Sequence, residues 1–123
     1  MKQVTLYSGC RFNYSTRQGS YFTALEYNGK LKRISGAIEG EHETGNRAVI
    51  YGLIEAVKLL KEPCELTIFT CIAVGFKKTF KSPNGDLILQ LLDVISEKGC
   101  VFKYGELPKE EIDRKTRTYA VRQ

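Results

Sequence analysis

Four cysteines, one histidine and two acid-free basic runs are the side chains of this sequence best placed to do chemistry. Cys10, Cys64, Cys71 and Cys100 form no CxxC pair, so their spacing gives no structural zinc site. No secretion signal accompanies them, which argues against disulfides. Cys71 has the most suggestive setting. In "CELTIFTCIAVGF", residues 64–76, Leu66, Ile68 and Thr70 alternate with Thr67, Phe69 and Cys71, and the run then softens into Ala73 and Gly75. That is the pattern of a strand ending on a thiol, and a side chain at the carboxyl end of a strand overlooks a crevice. Catalysis, metal binding and simple space-filling are all open to such a cysteine. His42, in polar "EGEHETGN", has no second histidine to complete a metal pair and is expected to be solvated.

The net charge is +5, which suits an acidic partner such as nucleic acid, a membrane surface or an acidic protein, and equally suits plain solubility. "FKKTFK" (76–81) and "RKTRTYAVR" (114–122) concentrate the positive charge. In the first run, Lys77, Lys78 and Lys81 sit beside Phe76 and Phe80. Basic residues interleaved with aromatics suit backbone tracking and base stacking, and the same spacing suits an amphipathic helix with core phenylalanines.

These residues must be positioned by a fold. A chain of 123 residues, 42% apolar, suits one domain over 1–123 with a core. No apolar run approaches the roughly 20 residues of a membrane helix, and "MKQVTLYSGC" opens directly into an alternating strand, so a soluble, cytoplasmic protein is expected. Strands are expected at 3–10, 20–28 and 31–39, with "RFNYSTRQGS" as a polar loop and Asn28-Gly29 as a hairpin turn. Ile50, Leu53, Ile54, Val57 and Leu60 recur at helical spacing over 46–61, with Thr44 as N-cap and Pro63 beyond the end. A strand at the Cys71 stretch, a helix over 86–99, a strand at "CVFKYGEL" and a polar helix from Pro108 to the end complete the order β-β-β-α-β-α-β-α. That order predicts an α/β fold, a mixed five-stranded sheet with helices on its faces.

With this order and spacing, the chain resembles the ribonuclease H family. "MKQVTLYSG" resembles that family's opening strand, and "TGNRAVIYGLIEAVKLLKEPCELTIFT" is similar, without a gap, to its core from the first helix through the fourth strand. The resemblance implies a ribonuclease H-like fold and, in the family, two Mg²⁺ ions held by four carboxylates that hydrolyse the RNA strand of a hybrid. Carried over residue by residue, those four positions are Gly9, Val49, Cys71 and Thr116, so no catalytic residue, metal site or Mg²⁺ cofactor is expected. No acid precedes Glu26, so the strand-one loss does not depend on alignment. Glu39, ending the third strand, and Asp113, about one turn from Thr116, are the acids that could substitute as ligands, which makes a weak metal-dependent nuclease the third expected class of function. Cys10 and Cys71 would be neighbours, because the first and fourth strands are adjacent in this fold. They could bind a soft metal, form a reversible disulfide or simply fill space.

Nucleic-acid binding needs only charge and donors and can outlive catalysis. The resemblance points to Thr44 and Asn46 at the first helix, to Arg11, Arg17 and Gln18 in the loop after the first strand, and to Lys77, Lys78 and Lys81 as a basic handle. A protein-interaction or homodimer role is the other class of function. Tyr14, Tyr21, Phe22 and Tyr27 make the early hairpin aromatic-rich.

Overall fold

The computed structural model describes residues 1–76 and 83–117. Its elements follow the expected order: β1 (Lys2–Asn13), β2 (Gln18–Tyr27), β3 (Lys30–Glu39), α1 (Gly45–Lys58), β4 (Cys64–Thr70), α2 (Gly85–Glu97), β5 (Val101–Glu106) and α3 (Lys109–Thr116). The five strands form one mixed sheet in the order β3-β2-β1-β4-β5. β1, β2 and β3 pair antiparallel, whereas β4 runs parallel to both β1 and β5.

Alternation along β1 decides which side chains meet which helix. Val4 and Leu6 enter the main core with α1 and α2, while Tyr7 turns to the opposite face and packs with Ala24 and Ile112 of α3. From α1, Ile50, Leu53, Ile54 and Val57 bury the broad stripe that the sequence predicts, and α2 adds Leu87, Ile88 and Leu91. α1 can lie close to the sheet because residue 52 is glycine. A Cβ there would stand 2.1 Å from Thr23 Oγ1 and 2.8 Å from Ser8 Oγ. Those two hydroxyls share a buried hydrogen bond of 3.0 Å, and Ser8 also donates to the Val49 carbonyl at 2.9 Å. Hydroxyls that would be costly to bury alone are thus satisfied under the helix.

Thr44 is the N-cap of α1, its hydroxyl accepting from Arg47 N at 3.1 Å. Asn28 and Gly29 both have positive φ, as the tight turn between β2 and β3 requires.

The segment 11–20, expected to be a polar loop, is mostly sheet. Arg11–Asn13 extend β1, Gln18 begins β2, and the pairing closes at Asn13↔Gln18. Its polar residues are largely solvent-facing positions of antiparallel strands, β1 pairing with β2 and β2 in turn with the end of β3. The turn is made by Asn13, whose Oδ1 accepts from Ser15 N and Thr16 N, and by Arg17 at φ 56. β4 ends at Thr70, one residue before Cys71, and α3 ends at Thr116. Lys77, Lys78, Phe80 and Lys81 lie outside the described residues. Phe76 is a core residue, its ring 5.0 Å from Phe102 and 5.1 Å from Tyr104. Among the described residues no helix is long and apolar enough to cross a membrane.

Candidate functional site

The interior of β1 around Gly9, the carboxyl end of β4, the first turns of α1 and the middle of α3 converge where the β1–β4 pairing ends. Ser8 is in register with Thr70, so Gly9 and Cys71 continue two adjacent parallel strands just beyond the last pair. Gly9 faces α3. A Cβ placed on it would stand 2.9 Å from Ile112 Cγ2 and 4.0 Å from Asp113 Oδ1. Ile112 is fully buried and occupies the ground beside Gly9. Val49 is also fully buried, in the turn of α1 whose carbonyl receives Ser8. Cys71 is half-buried and packs against the cluster of Tyr7, Ala24 and Ile112.

On α3, Asp113 rather than Thr116 reaches towards Gly9. The Thr116 hydroxyl is buried and donates to the Ile112 carbonyl at 2.8 Å, within its own helix. Asp113 is held by cations: Lys109 Nζ lies 2.7 Å from one carboxylate oxygen and Arg117 Nε 3.7 Å from the other. The Arg117 guanidinium also donates to the Cys10 carbonyl at 2.8 Å and lies over the Phe22 ring at 4.7 Å. Fixed positive charge therefore stands beside Asp113, while Glu106, in register with Thr70, is exposed on β5.

Mg²⁺ is a hard cation that takes several oxygen ligands, charged ones where catalysis is required. Gly9 and Val49 offer no side-chain oxygen, Cys71 offers a thiol, and Asp113 is already engaged by two cations. This donor set does not fit a pair of Mg²⁺ ions. Glu39 does not complete it, because it pairs with Gln18, which faces Asn13. That register is four residues past Gly9, about 13 Å along the strand, and Glu39 accepts a hydrogen bond from Gln18 Nε2 at 3.1 Å. Among the described residues no three His, Cys, Asp or Glu side chains gather as a metal site.

Cys10 points to the other face, towards the start of α1, where a Cβ on Gly45 would stand 3.1 Å from its sulfur. Burial pushes its thiol pKa up, and the nearby Cys71 adds to the rise. Cys64 and Cys100 make a second cysteine neighbourhood, at the opposite end of β4 from Cys71 and not foreseen from spacing. Cys64 N donates to Cys100 Sγ at 3.3 Å, and burial is the main cause raising the Cys64 thiol. Among the described residues all four cysteines are free.

The basic and polar candidates divide between two surfaces. Arg17, Thr44 and Asn46 come together. The Tyr14 hydroxyl accepts from Gly45 N at 3.2 Å, Arg17 lies over the Phe12 and Tyr14 rings at 5.7 and 5.5 Å, and Arg17 also donates to the Glu41 carbonyl at 2.9 Å. The hairpin tip is thereby tied to the first turn of α1, next to the exposed Asn46. Tyr14 was legible only as one of several aromatics in the early hairpin. Arg11 and Gln18 instead line an open groove of about 790 Å³ on the α3 face, with Phe22 and Glu39.

No protein-family model matches the chain. Curated relatives do. A ribonuclease H of Sulfurovum sp. is 44% identical over 68 residues, covering 54% of this chain and 44% of the relative. The chain thus spans about half the length of the first curated relatives it matches. A ribonuclease H of Oleidesulfovibrio alaskensis is 31% identical over 122 residues, covering 85% of this chain and 78% of the relative. The chain belongs to the ribonuclease H family. Solved structures agree on the ribonuclease H-like fold. The N-terminal RNase H domain of a Mycobacterium tuberculosis protein superposes with a TM-score of 0.74 at 16% identity, covering 94% of this chain and 91% of that one. RNase H1 from the archaeon Halobacterium salinarum gives 0.75 at 12% identity, covering 92% and 91%.

Proposed function

We propose that this chain is a ribonuclease H-family protein without metal-dependent cleavage, which binds nucleic acid through the surface formed by the hairpin tip and the start of α1. The observation that carries the first half is the setting of Asp113. Among the described residues it is the single carboxylate reaching towards Gly9, and it is paired with Lys109 and Arg117 where the family chemistry needs several free acids around metal. Two scattered acids, Glu39 and Asp113, are too far apart to share an ion.

The second half rests on the cluster of Arg17, Tyr14, Thr44 and Asn46. A guanidinium stacked on aromatics, an exposed amide and a helix N-terminus together suit phosphate and sugar contacts. Such contacts set register on a nucleic acid without reading sequence. RNA–DNA hybrid, double-stranded RNA and single strands are the candidate ligands. Lys77, Lys78 and Lys81 would extend the basic face if they follow the family pattern.

Titration of labelled hybrid, duplex and single-stranded oligonucleotides at two salt concentrations, with and without Mg²⁺ or Mn²⁺, tests both halves. The expected result is binding that weakens as salt rises, with intact substrate throughout. Metal-dependent cleavage that disappears in Asp113→Asn overturns the loss of catalysis. Absence of salt-sensitive binding to all three overturns the nucleic-acid reading.

A further inference from the structure

At the end of the sheet opposite the Gly9 site, the chain builds an apolar groove of about 480 Å³ between the C-terminal end of α1 and the outer ends of β1, β2 and β3. Its walls come from Val4 and Leu25 of the strands and from Leu59 and Leu60 just past the helix, with Tyr27 at the mouth. Val4, Leu25 and Leu60 are buried, whereas Leu59 is 41% and Tyr27 39% exposed, a large apolar exposure for neighbours in one groove. Four lysines, Lys2, Lys30, Lys32 and Lys61, ring the opening with one acid, Glu62. Glu62 is taken by Lys2 at 3.2 Å, and Lys2 also lies over the Tyr27 ring at 5.1 Å. Among the described residues Lys30, Lys32 and Lys61 form no ion pair, so the rim presents surplus positive charge over an apolar floor. The end of a helix would ordinarily disfavour an anion here. That effect is offset by Lys98, whose ammonium donates to the Leu60 carbonyl at 2.7 Å.

We infer that this groove docks a short acidic segment of a partner protein, with apolar side chains seated between Leu59 and the strands and carboxylates meeting Lys30, Lys32 and Lys61. Charge complementarity selects the acids and the apolar floor selects the side chains between them, a combination that a nucleic-acid backbone does not match. The groove is remote from the Gly9 end, so its occupation is independent of the nucleic-acid reading above.

The probe is a fluorescein-labelled peptide of aspartates interspersed with leucines, followed by anisotropy against the full chain at low and moderate salt. Binding is expected to weaken with salt. The double reversal Lys32→Glu with Lys61→Glu is expected to weaken it by roughly ten-fold or more, as exposed ion pairs are turned into repulsions. Leu59→Ser is expected to cost up to about ten-fold by removing apolar burial. These residues are on the surface, and unchanged circular dichroism confirms folding of each variant. Lys103→Glu, on β5 outside the groove, controls for net charge and is expected to bind as the parent does. The inference is overturned by absence of binding, by equal binding of a peptide with serine for leucine, by equal loss in Lys103→Glu, or by an oligonucleotide displacing the peptide with the same dependence on Lys32 and Lys61.

Discussion

Ile112 of α3 stands 2.9 Å from the point where a Cβ on Gly9 would lie. Position 9, where the resemblance sets the family's strand-one acid, is therefore held small by an apolar side chain from the last helix. Gly9→Asp alone places a carboxylate against a fully buried isoleucine, and overpacking with burial of charge is expected to cost about 2–4 kcal/mol. Ile112→Ala by itself leaves a cavity and also destabilises. In combination they are expected to cost less than the sum of the two, because the small residue makes room for the acid. Urea unfolding of the two single variants and the double variant checks this. Additive losses would show that Ile112 does not confine position 9.

This relationship also shows where the sequence was readable. The hydrophobic periods of β1, α1 and β4, the Asn28-Gly29 turn and the Thr44 cap all carry local signals, and these fixed the element order and the positions of Gly9, Val49 and Cys71 at one end of the sheet. The turn around Arg17 was obscured because a solvent-exposed ribbon such as "RFN…QGS" has loop-like composition, and its pairing is set by the partner strand rather than by its own residues. The choice between Asp113 and Thr116 was likewise not local. It depends on how α3 docks on the sheet, which Ile112 and the Tyr7–Ala24 surface determine. The Cys64–Cys100 contact comes from adjacent strands 36 residues apart and has no spacing signature.

Metal should leave the fold indifferent. A ligand that binds the native state raises stability with its concentration, and the donor set at the Gly9 end gives Mg²⁺ no such hold. Thermal melting with and without about 10 mM Mg²⁺ is expected to superpose, whereas a clear upward shift would reveal a site in this chain. The comparison is best made at constant ionic strength, so that screening of the +5 charge does not mimic binding.

A three-residue network couples stability to pH in both directions. Glu26 accepts from Lys115 Nζ at 3.0 Å and from the Tyr7 hydroxyl at 3.0 Å. The Lys115 ammonium is the main cause holding the Glu26 carboxyl below its ordinary value. A carboxyl depressed in the folded state contributes stability above its unfolded value near 4.3, and that contribution disappears as pH falls through the lower folded value. Burial, helped by Glu26, pushes the Tyr7 phenol up to about 12. Tyr7 therefore contributes stability below pH 10 that fades as pH rises from about 10 to 12. Denaturant unfolding across pH should show Glu26→Gln flattening the acid-side loss and Tyr7→Phe flattening the alkaline one. Unchanged slopes in both variants would remove the network from the pH response.

Two arginines near the start of α1 should behave differently when each is replaced. Arg47 is committed to structure, with its guanidinium bidentate to Asp86 of α2 at 2.9 Å for each bond and its Nε 3.2 Å from Glu43. Arg47→Ala is expected to lower stability by about 1–2 kcal/mol, since a bidentate tie and its packing on Tyr51 are lost together. Arg17 is instead stacked on Phe12 and Tyr14 at the hairpin tip, beside Asn46 and the N-terminus of α1. If that surface meets phosphate, Arg17→Ala lowers oligonucleotide affinity and reduces the slope of log affinity against log salt by about one, the signature of one lost phosphate contact. Its effect on folding is expected to stay small, because arginine and alanine carry the same Cβ penalty in the left-handed backbone at φ 56. Arg17→Gly, which accepts that backbone freely, separates the two effects: it should match Arg17→Ala in binding and exceed it in stability. An affinity loss in Arg17→Ala that Arg17→Gly restores would trace the loss to the turn backbone instead of phosphate contact.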